Sequence, residues 1–384
     1  MPEGSILITN KVIIAILITQ WTNSMQCSSA VAYLQEYACN DQEFFGKGAS
    51  GEAFLVHKDD KKYILKAQKV TEPDDRAQAL TDLKYLMLFR GLPYLAQLVE
   101  SKQTPEYLFE VLEFGENGNL ENFYERRKDL FENWRSILEF FLKILKGVAI
   151  MHSKKVVHAD IKFANIVINK DVDPILIDFD LSVQADTENY GRGTAEYMDP
   201  VIMEAWGRKK TVYNQFRDIY SLGVTLYYLS QNRYPFAGGS RHEVFDNIKS
   251  NKYTLNQGTH IEIAKIIHSC LRLKENDRKT LQEIIDMTKS ALEQNSNIFL
   301  STELTVSNNE PLVLLSRELT TPDGLAMMIS MSDFFVFLIG LILLLAGIAF
   351  AGLKYGMFGK TKDENESHQQ TDLDQISQRL DQQA

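Results

Sequence analysis

A short polar segment set between apolar runs constrains this chain more than any other feature of its sequence. Residues 157–165 read VHADIKFAN, and a strand-like apolar run follows directly. The segment holds a carboxylate at Asp160, an ammonium group at Lys162 and an amide at Asn165. A second strand-like run then ends in Asp178. Two such runs joined by a turn predict a hairpin that brings the four polar side chains together.

These four side chains have the chemistry that phosphoryl transfer requires. Asp160 can accept the proton of an incoming hydroxyl, and Lys162 can place a cation near the moving phosphate. Asn165 and Asp178 offer oxygen ligands, which magnesium prefers. The sequence therefore predicts Asp160 and Lys162 as catalytic residues, and Asn165 and Asp178 as ligands of Mg2+.

Two features nearer the N-terminus predict a nucleotide site. Gly46, Gly48 and Gly51 form a GxGxxG pattern, in which backbone N–H groups can approach phosphates without hindrance from side chains. Strand-like segments flank the pattern and no helix signal follows it, which argues against a dinucleotide-binding fold. Farther on, Lys66 interrupts the apolar run YILKA and could pair with phosphate oxygens.

Together, these ordered motifs resemble the eukaryotic protein kinase domain over about residues 44–292. The resemblance continues in GTAEYMDP at 193–200, which is similar to the loop that receives a peptide substrate, and in DIYSLG at 218–223, which looks like the start of a buried central helix. It implies an α+β fold of two lobes, with a β-rich N-lobe, a helical C-lobe and ATP in the cleft. We assign residues 41–295 to this domain.

The same resemblance implies a hinge and a substrate class. The hinge falls at residues 113–115, so Glu113 and Gly115 are expected to contact ATP, with Leu112 as the gatekeeper. Lys162 and the Gly-Thr pair at 193–194 resemble the serine/threonine branch. The implied activity is a protein serine/threonine kinase that uses ATP and Mg2+ and acts on protein hydroxyls.

Several positions depart from the family pattern. The acid expected opposite Lys66 is not a glutamate in the usual register, so Asp82 is the best candidate, and Glu72 is the alternative. Asp180 stands where the family has a glycine after the metal-binding motif. These departures leave open a second function, a pseudokinase that binds ATP and serves as a membrane signalling scaffold.

Arg278 also lacks its expected partner. Val201 occupies the position of the glutamate that usually pairs with this late arginine, and Glu204 is the nearest acid one turn farther on. In addition, Ala159 replaces an arginine that in many relatives binds a phosphorylated activation loop, so activity is expected not to depend on that phosphate.

A twenty-residue segment at 334–353 contains no charged side chain and is long enough to cross a bilayer as a helix. It predicts a single-pass membrane protein, with a linker at 296–333 and a polar tail at 354–384. The lysines near the helix follow it, which would place the tail in the cytosol, yet the need for ATP favours a cytosolic kinase domain. An ectodomain receptor is the alternative.

The N-terminal segment 1–40 includes an apolar stretch at 12–19 that resembles a weak secretory signal, although a packed strand pair or helix fits equally well. The three cysteines are too few and too scattered to predict a disulfide framework, and they favour a reducing compartment. A formal net charge of −10 without a basic stripe argues against nucleic acid as a partner. The predicted partners are therefore ATP, protein substrates and the lipid bilayer.

Overall fold

The structure is a computed structural model that describes residues 25–39, 44–48, 51–207, 209–294, 297–306 and 319–320. Its N-terminal lobe is built on a five-stranded antiparallel sheet with the strand order β1-β2-β3-β5-β4. The elements of this lobe are α1 (Cys27–Val31), β1 (Phe44–Gly48), β2 (Gly51–Lys58), β3 (Lys61–Lys69), α2 (Pro73–Leu88), β4 (Leu98–Gln103) and β5 (Tyr107–Glu113).

Local sequence explains how this lobe forms. Asp59 and Asp60 connect β2 to β3 and have φ values of 49° and 60°, the conformation of a two-residue turn that matches the twist of antiparallel strands. Helix α2 begins with Pro73, whose fixed φ suits the first helical position, and carries Asp74 and Asp75 in its first turn. One face of α2 then lies against the sheet, where Ala79 packs in a small buried cluster.

The C-terminal lobe is mainly helical. Its helices are α3 (Leu120–Arg126), α4 (Trp134–Ser153), α5 (Pro200–Ala205), α6 (Phe216–Gln231), α7 (Arg241–Ser250), α8 (Ile261–Cys270) and α9 (Leu281–Glu293). Short strands connect or flank them: β6 (Val156–Val157), β7 (Ile166–Ile168), β8 (Pro174–Leu176), β9 (Val183–Gln184), β10 (Thr187–Tyr190), β11 (Lys210–Tyr213), β12 (Tyr253–Leu255), β13 (Phe299–Leu300), β14 (Leu304–Val306) and β15 (Leu319–Thr320).

Helices α4 and α6 form the centre of this lobe. Helix α4 is capped by the Asn133 side chain, which accepts a hydrogen bond from the backbone N–H of Arg135, and it buries an apolar stripe along its length. Helix α6 is buried on nearly all sides, which explains why its sequence lacks a polar face. The expected fold, a β-rich first lobe followed by a helical second lobe, is confirmed.

Two short antiparallel strand pairs position the polar segment found in the sequence. Strand β7 pairs with β8 in the register Ile166↔Leu176, and β6 pairs with β9 in the register Val157↔Val183. Because the polar segment runs from β6 to β7, both of its ends are fixed by strand pairing. The hairpin predicted from the apolar runs is therefore present.

The N-terminal residues contain a feature that the sequence reading did not predict. Cys27 and Cys39 form a disulfide bond across a sequence separation of 12 residues, whereas the scattered cysteines had suggested no pairing. The bond ties α1 to the strand-like segment at Ala38, which bridges to His57 of β2. Apolar residues between the two cysteines pack with apolar residues of β2, β3 and β5 in one buried cluster.

The predicted localisation, a single-pass membrane protein with a cytosolic kinase domain, is corrected by the structure. In the part of the chain that the structure describes, every helix is too short or too polar to cross a bilayer. The apolar segment 334–353 and the signal-like stretch 12–19 both lie outside the described residues. The membrane anchor and the bilayer as a partner therefore have no support from the structure.

Candidate active site

Lys66 lies on β3 at the centre of a buried ionic cluster. Its Nζ atom lies 2.5 Å from Asp82 Oδ2 and 2.7 Å from Asp178 Oδ1. Asp82 comes from α2, is almost fully buried and also accepts a 2.9 Å hydrogen bond from the backbone N–H of Phe179. The acid opposite Lys66 is therefore Asp82, whereas Glu72 is the N-cap residue of α2.

Electrostatics keep both charges of the Lys66–Asp178 pair ionised. Burial by itself would lower the pKa of Lys66, but the charges of Asp82 and Asp178 outweigh it and hold that pKa well above the ordinary value. Burial likewise works to raise the pKa of Asp178, and the charge and hydrogen bond of Lys66 more than offset it, so the pKa lies below the ordinary value. The site thus holds an ammonium ion and a carboxylate at neutral pH.

Asp160, Lys162 and Asn165 form a second cluster in the loop between β6 and β7. Asp160 Oδ2 accepts hydrogen bonds from Lys162 Nζ at 2.6 Å and from Asn165 Nδ2 at 3.0 Å. Thr194 completes the cluster, because its Oγ1 atom lies 3.0 Å from Asp160 Oδ1 and 2.9 Å from Lys162 Nζ. The Asp160 carboxylate is therefore held by three donors, with only 7% of the residue exposed.

A buried acid fixes the backbone around Asp160. Asp218, at the start of α6, accepts hydrogen bonds from the backbone N–H groups of His158 (2.9 Å) and Ala159 (3.0 Å). Ala159 has a φ of 69°, a strained conformation for a non-glycine residue, and these two bonds stabilise it. Asp218, expected only as the start of a central helix, therefore also anchors the polar loop.

Phe179 connects Asp178 to α2. Its ring is fully buried, 5.1 Å from the ring of Phe89 and 5.5 Å from the ring of His158. Asp178 itself takes a φ of 66°, which turns its side chain toward Lys66, whereas Asp180 has no positive φ and so does not need to be glycine. The substitution of the family glycine by Asp180 is therefore compatible with this backbone.

A cavity of about 1080 Å³ lies beside these clusters and is lined on one side by residues 112–119. Glu113 and Gly115 are among its lining residues, as are Ala53 of β2 and Val167 of β7. A Cβ atom on Gly115 would lie 1.9 Å from Val167 Cγ1, so a larger residue here would have to displace the Val167 side chain. The cavity is large enough for a nucleotide.

The three predicted glycines lie on the hairpin of β1 and β2, and Ala53 of this hairpin lines that cavity. Gly46 pairs with Ala53, and Gly48 pairs with Gly51 across the turn. A Cβ on Gly51 would lie 2.5 Å from the backbone O of Ala67, which excludes larger residues there. The tip of the hairpin, residues 49–50, lies outside the described residues.

The sequence did not predict the contacts of several polar groups in or near the site. Thr194 was noted only as a marker of substrate class, although its hydroxyl bonds both Asp160 and Lys162. Gln68 and Glu110 are buried polar residues beside Asp82. The signal for Glu110 was an acid inside the apolar run of β5. The partner of Arg278 is Asp199, not Glu204 as expected, since Asp199 bonds Arg278 and Arg217 together.

Comparison with known proteins identifies the family to which this fold belongs. The family model described as "Protein kinase domain" matches residues 39–288, which is more than half of the 384 residues. The chain belongs to the protein kinase domain family. The predicted recognition of a kinase domain is therefore confirmed.

Individual relatives of this kinase domain are named as kinases. The chain is 28% identical to "Protein kinase C-like 1" of Caenorhabditis elegans over 63% of its own length, and 29% identical to "Protein kinase C delta type" of Mus musculus over 60%. It is 25% identical to "Serine/threonine-protein kinase PLK4" of Nematostella vectensis over 62%. The prediction of a kinase domain related to serine/threonine kinases is confirmed.

These relatives are longer proteins. The kinase domain and its flanks cover 35% of the worm protein, 33% of the mouse protein and 23% of the Nematostella protein. The similarity of this chain to these relatives is therefore limited to the kinase domain.

Proposed function

We propose that this chain is a serine/threonine protein kinase that transfers the γ-phosphate of ATP to hydroxyl groups of protein substrates. One observation carries the proposal. Lys66 is hydrogen-bonded to Asp178, and the loop between β6 and β7 presents Asp160 within a cluster of Lys162, Asn165 and Thr194. A base, two cations and two potential metal ligands thus lie in two hydrogen-bonded clusters, and the chain neighbours Ala164 and Ile177 line a nucleotide-sized cavity.

Each residue in this arrangement has a task. Asp160 accepts the proton of the attacking hydroxyl, and its three hydrogen bonds keep the carboxylate in one orientation. Lys162 lies 2.6 Å from Asp160 and provides positive charge next to the transferred phosphate. Lys66 is held by Asp82 in a position where it can pair with the phosphates of ATP.

The donor set also fits a magnesium ion. Asp178 offers a carboxylate whose pKa lies below the ordinary value, so it is ionised at neutral pH. Asn165 uses its amide nitrogen for Asp160, so its amide oxygen is the atom that a cation would meet. Both are hard oxygen ligands of the kind that Mg2+ selects. When bound there, Mg2+ would neutralise phosphate charge.

The alternative of a pseudokinase scaffold is not favoured. Lys66, Asp160, Asn165 and Asp178 are all present, and each is hydrogen-bonded within the site and not turned toward a separate surface. The relatives named above are described as kinases. A scaffold without phosphoryl transfer would need neither of these two hydrogen-bonded clusters.

The experiment that tests this function is a transfer assay with identification of the phosphorylated amino acid. The full chain is incubated with Mg2+, ATP labelled at the γ-phosphate and a generic basic protein, beside the Asp160→Ala variant. We expect phosphoserine and phosphothreonine from the wild type and neither from the variant. Absence of transfer by the wild type, or equal transfer by both proteins, would contradict the proposal.

A further inference from the structure

The acid that holds Lys66 is itself supported by an unusual buried pair. Gln68 Nε2 donates a 2.8 Å hydrogen bond to Glu110 Oε2 and lies 3.5 Å from Asp82 Oδ2. The exposed fractions are 3% for Gln68, 0% for Glu110 and 1% for Asp82. A chain of polar groups therefore runs from the sheet to the residue that binds the lysine.

The geometry of the sheet puts these groups on one face. Lys66 and Gln68 are two residues apart on β3, so their side chains point to the same side. Glu110 on β5 is the direct cross-strand partner of Lys66 and shares that side. Helix α2 covers this face and delivers Asp82 to it.

Stability does not account for the pair. On the same face of the sheet, Val70 and Leu108 pack with Ala79 of α2 in a small buried apolar cluster. Replacing two buried hydrogen-bonded partners by apolar residues of similar size is often neutral or stabilising. Glu110 Oε1 moreover has no hydrogen-bond partner among the residues that the structure describes. Burying the Gln68–Glu110 pair therefore costs free energy of folding that an apolar pair would not, so its presence needs a functional explanation.

The short side chain of Asp82 explains why Gln68 and Glu110 are buried beside it. An aspartate is one methylene shorter than a glutamate and has fewer rotatable bonds, so it reaches Lys66 only if the helix and the carboxylate are held close to the sheet. Asp82 Oδ1 is fixed by the backbone N–H of Phe179, and Gln68 lies beside the other oxygen, which also bonds Lys66. Gln68 in turn is oriented by Glu110.

The charge balance is consistent with this arrangement. Burial, followed by the charge of Asp82, raises the pKa of Glu110 well above the ordinary value, which disfavours a negative charge on Glu110. Less negative charge on Glu110 means less competition with Asp82 and Asp178 for Lys66, while Glu110 Oε2 still accepts the hydrogen bond from Gln68.

We infer that Gln68 and Glu110 are positioning residues that hold the short Asp82 carboxylate in register with Lys66, and so place the lysine for phosphoryl transfer. This inference rests on the proposed kinase function. Positioning mainly affects the transition state, because small displacements of a charged group cost rate. A displaced Lys66 still attracts the phosphates of ATP, so binding of the nucleotide should change less than turnover.

The test compares three variants of the full chain with the wild type in steady-state kinetics. We expect the apolar double variant Gln68→Leu/Glu110→Leu to lose about tenfold or more in kcat, with KM for ATP changed less than about threefold. Its thermal midpoint should stay close to that of the wild type, since both partners are replaced together. The conservative variant Glu110→Gln keeps the hydrogen bond to Gln68 and should lose no more than about threefold in kcat.

The third variant separates positioning from packing. Adding Asp82→Glu to the apolar double variant restores the missing methylene, and we expect it to recover most of the lost kcat. A double variant with wild-type kcat, or a loss that Asp82→Glu fails to relieve, would overturn the inference. If the wild type itself transfers no phosphate, the proposed function fails instead, so the two failures are distinguishable.

Discussion

At the scale of single residues, the proposed function depends on the groups that hold the Asp160 carboxylate as well as on the carboxylate itself. Asp160 is held by Lys162, Asn165 and Thr194, and its backbone is fixed by Asp218. A base that must meet a hydroxyl within hydrogen-bond reach benefits from such restraint, because its orientation is set before the substrate arrives.

Thr194 gives a direct test of this restraint. Thr194→Val removes the hydroxyl that bonds both Asp160 and Lys162 but keeps the shape of the side chain. Hydrogen bonds to charged groups contribute about 1.5–3 kcal/mol, so we expect kcat to fall at least about tenfold. The matched control is Thr194→Ser, which retains the hydroxyl and should stay within about threefold of the wild type. Equal kcat values for the valine and serine variants would show that the hydroxyl is not used.

At the scale of secondary structure elements, a buried ion cluster joins α5, α6 and the segment before α9. The Asp199 carboxylate caps α5, bonds Arg217 at 2.9 Å through Oδ1 and bonds Arg278 through Oδ2. Only 4% of Arg278 and 2% of Asp199 is exposed. Asp199 thus pairs with Arg278, as a glutamate at the position of Val201 was expected to do. It is also close enough to pair with Arg217.

Asp199→Asn should therefore destabilise the chain strongly. The asparagine still caps α5, but it leaves the buried guanidinium of Arg278 without its carboxylate, and losing one partner of a buried pair costs about 3–5 kcal/mol. Urea unfolding measures the shift in midpoint. Lys279→Ala is the control, since it breaks the exposed Lys279–Glu283 pair, which should contribute little. Comparable midpoints for the two variants would contradict the role assigned to Asp199.

The disulfide of the N-terminal segment makes a second prediction at this scale. Reduction should lower the free energy of unfolding by about 3 kcal/mol, because the bond closes a short loop in the unfolded chain. The double variant Cys27→Ser/Cys39→Ser should show the same loss and no further response to reductant.

A count of reactive thiols checks the pairing independently. Cys270 is fully buried, and burial raises the pKa of its thiol to about 12, so it should not react while the chain is folded. We expect no reactive thiol in the folded unreduced chain, one after unfolding and three after unfolding with reductant. Three thiols on unfolding without reductant would show that Cys27 and Cys39 are not bonded.

At the scale of the whole molecule, the sequence predicted the order of the elements and most of the polar groups of the site. The residues Lys66, Asp160, Lys162, Asn165 and Asp178 could be named because they fall in ordered motifs whose chemistry suits phosphoryl transfer and which resemble the kinase domain. Asp82 could be named as a candidate because the same resemblance places an acid near that register of the helix.

What the sequence could not predict depends on contacts between distant segments. Asp199 and Arg278 lie 79 positions apart, and Lys66 and Asp178 lie 112 apart. The register of β3 on β5, which places Glu110 opposite Lys66, is likewise a tertiary property that a single strand does not encode. The Cys27–Cys39 bond was missed because composition indicates whether a disulfide framework is present and says little about a single pair.

The central claim, that Asp160 is the base for phosphoryl transfer from ATP in this cleft, is tested most directly by single-turnover kinetics with binding measured in parallel. Asp160→Asn keeps the size of the side chain but cannot accept the hydroxyl proton. We predict a dissociation constant for Mg-ATP within about threefold of the wild type and a transfer rate lower by at least about 100-fold. A variant that binds ATP and transfers phosphate at the wild-type rate would contradict the claim.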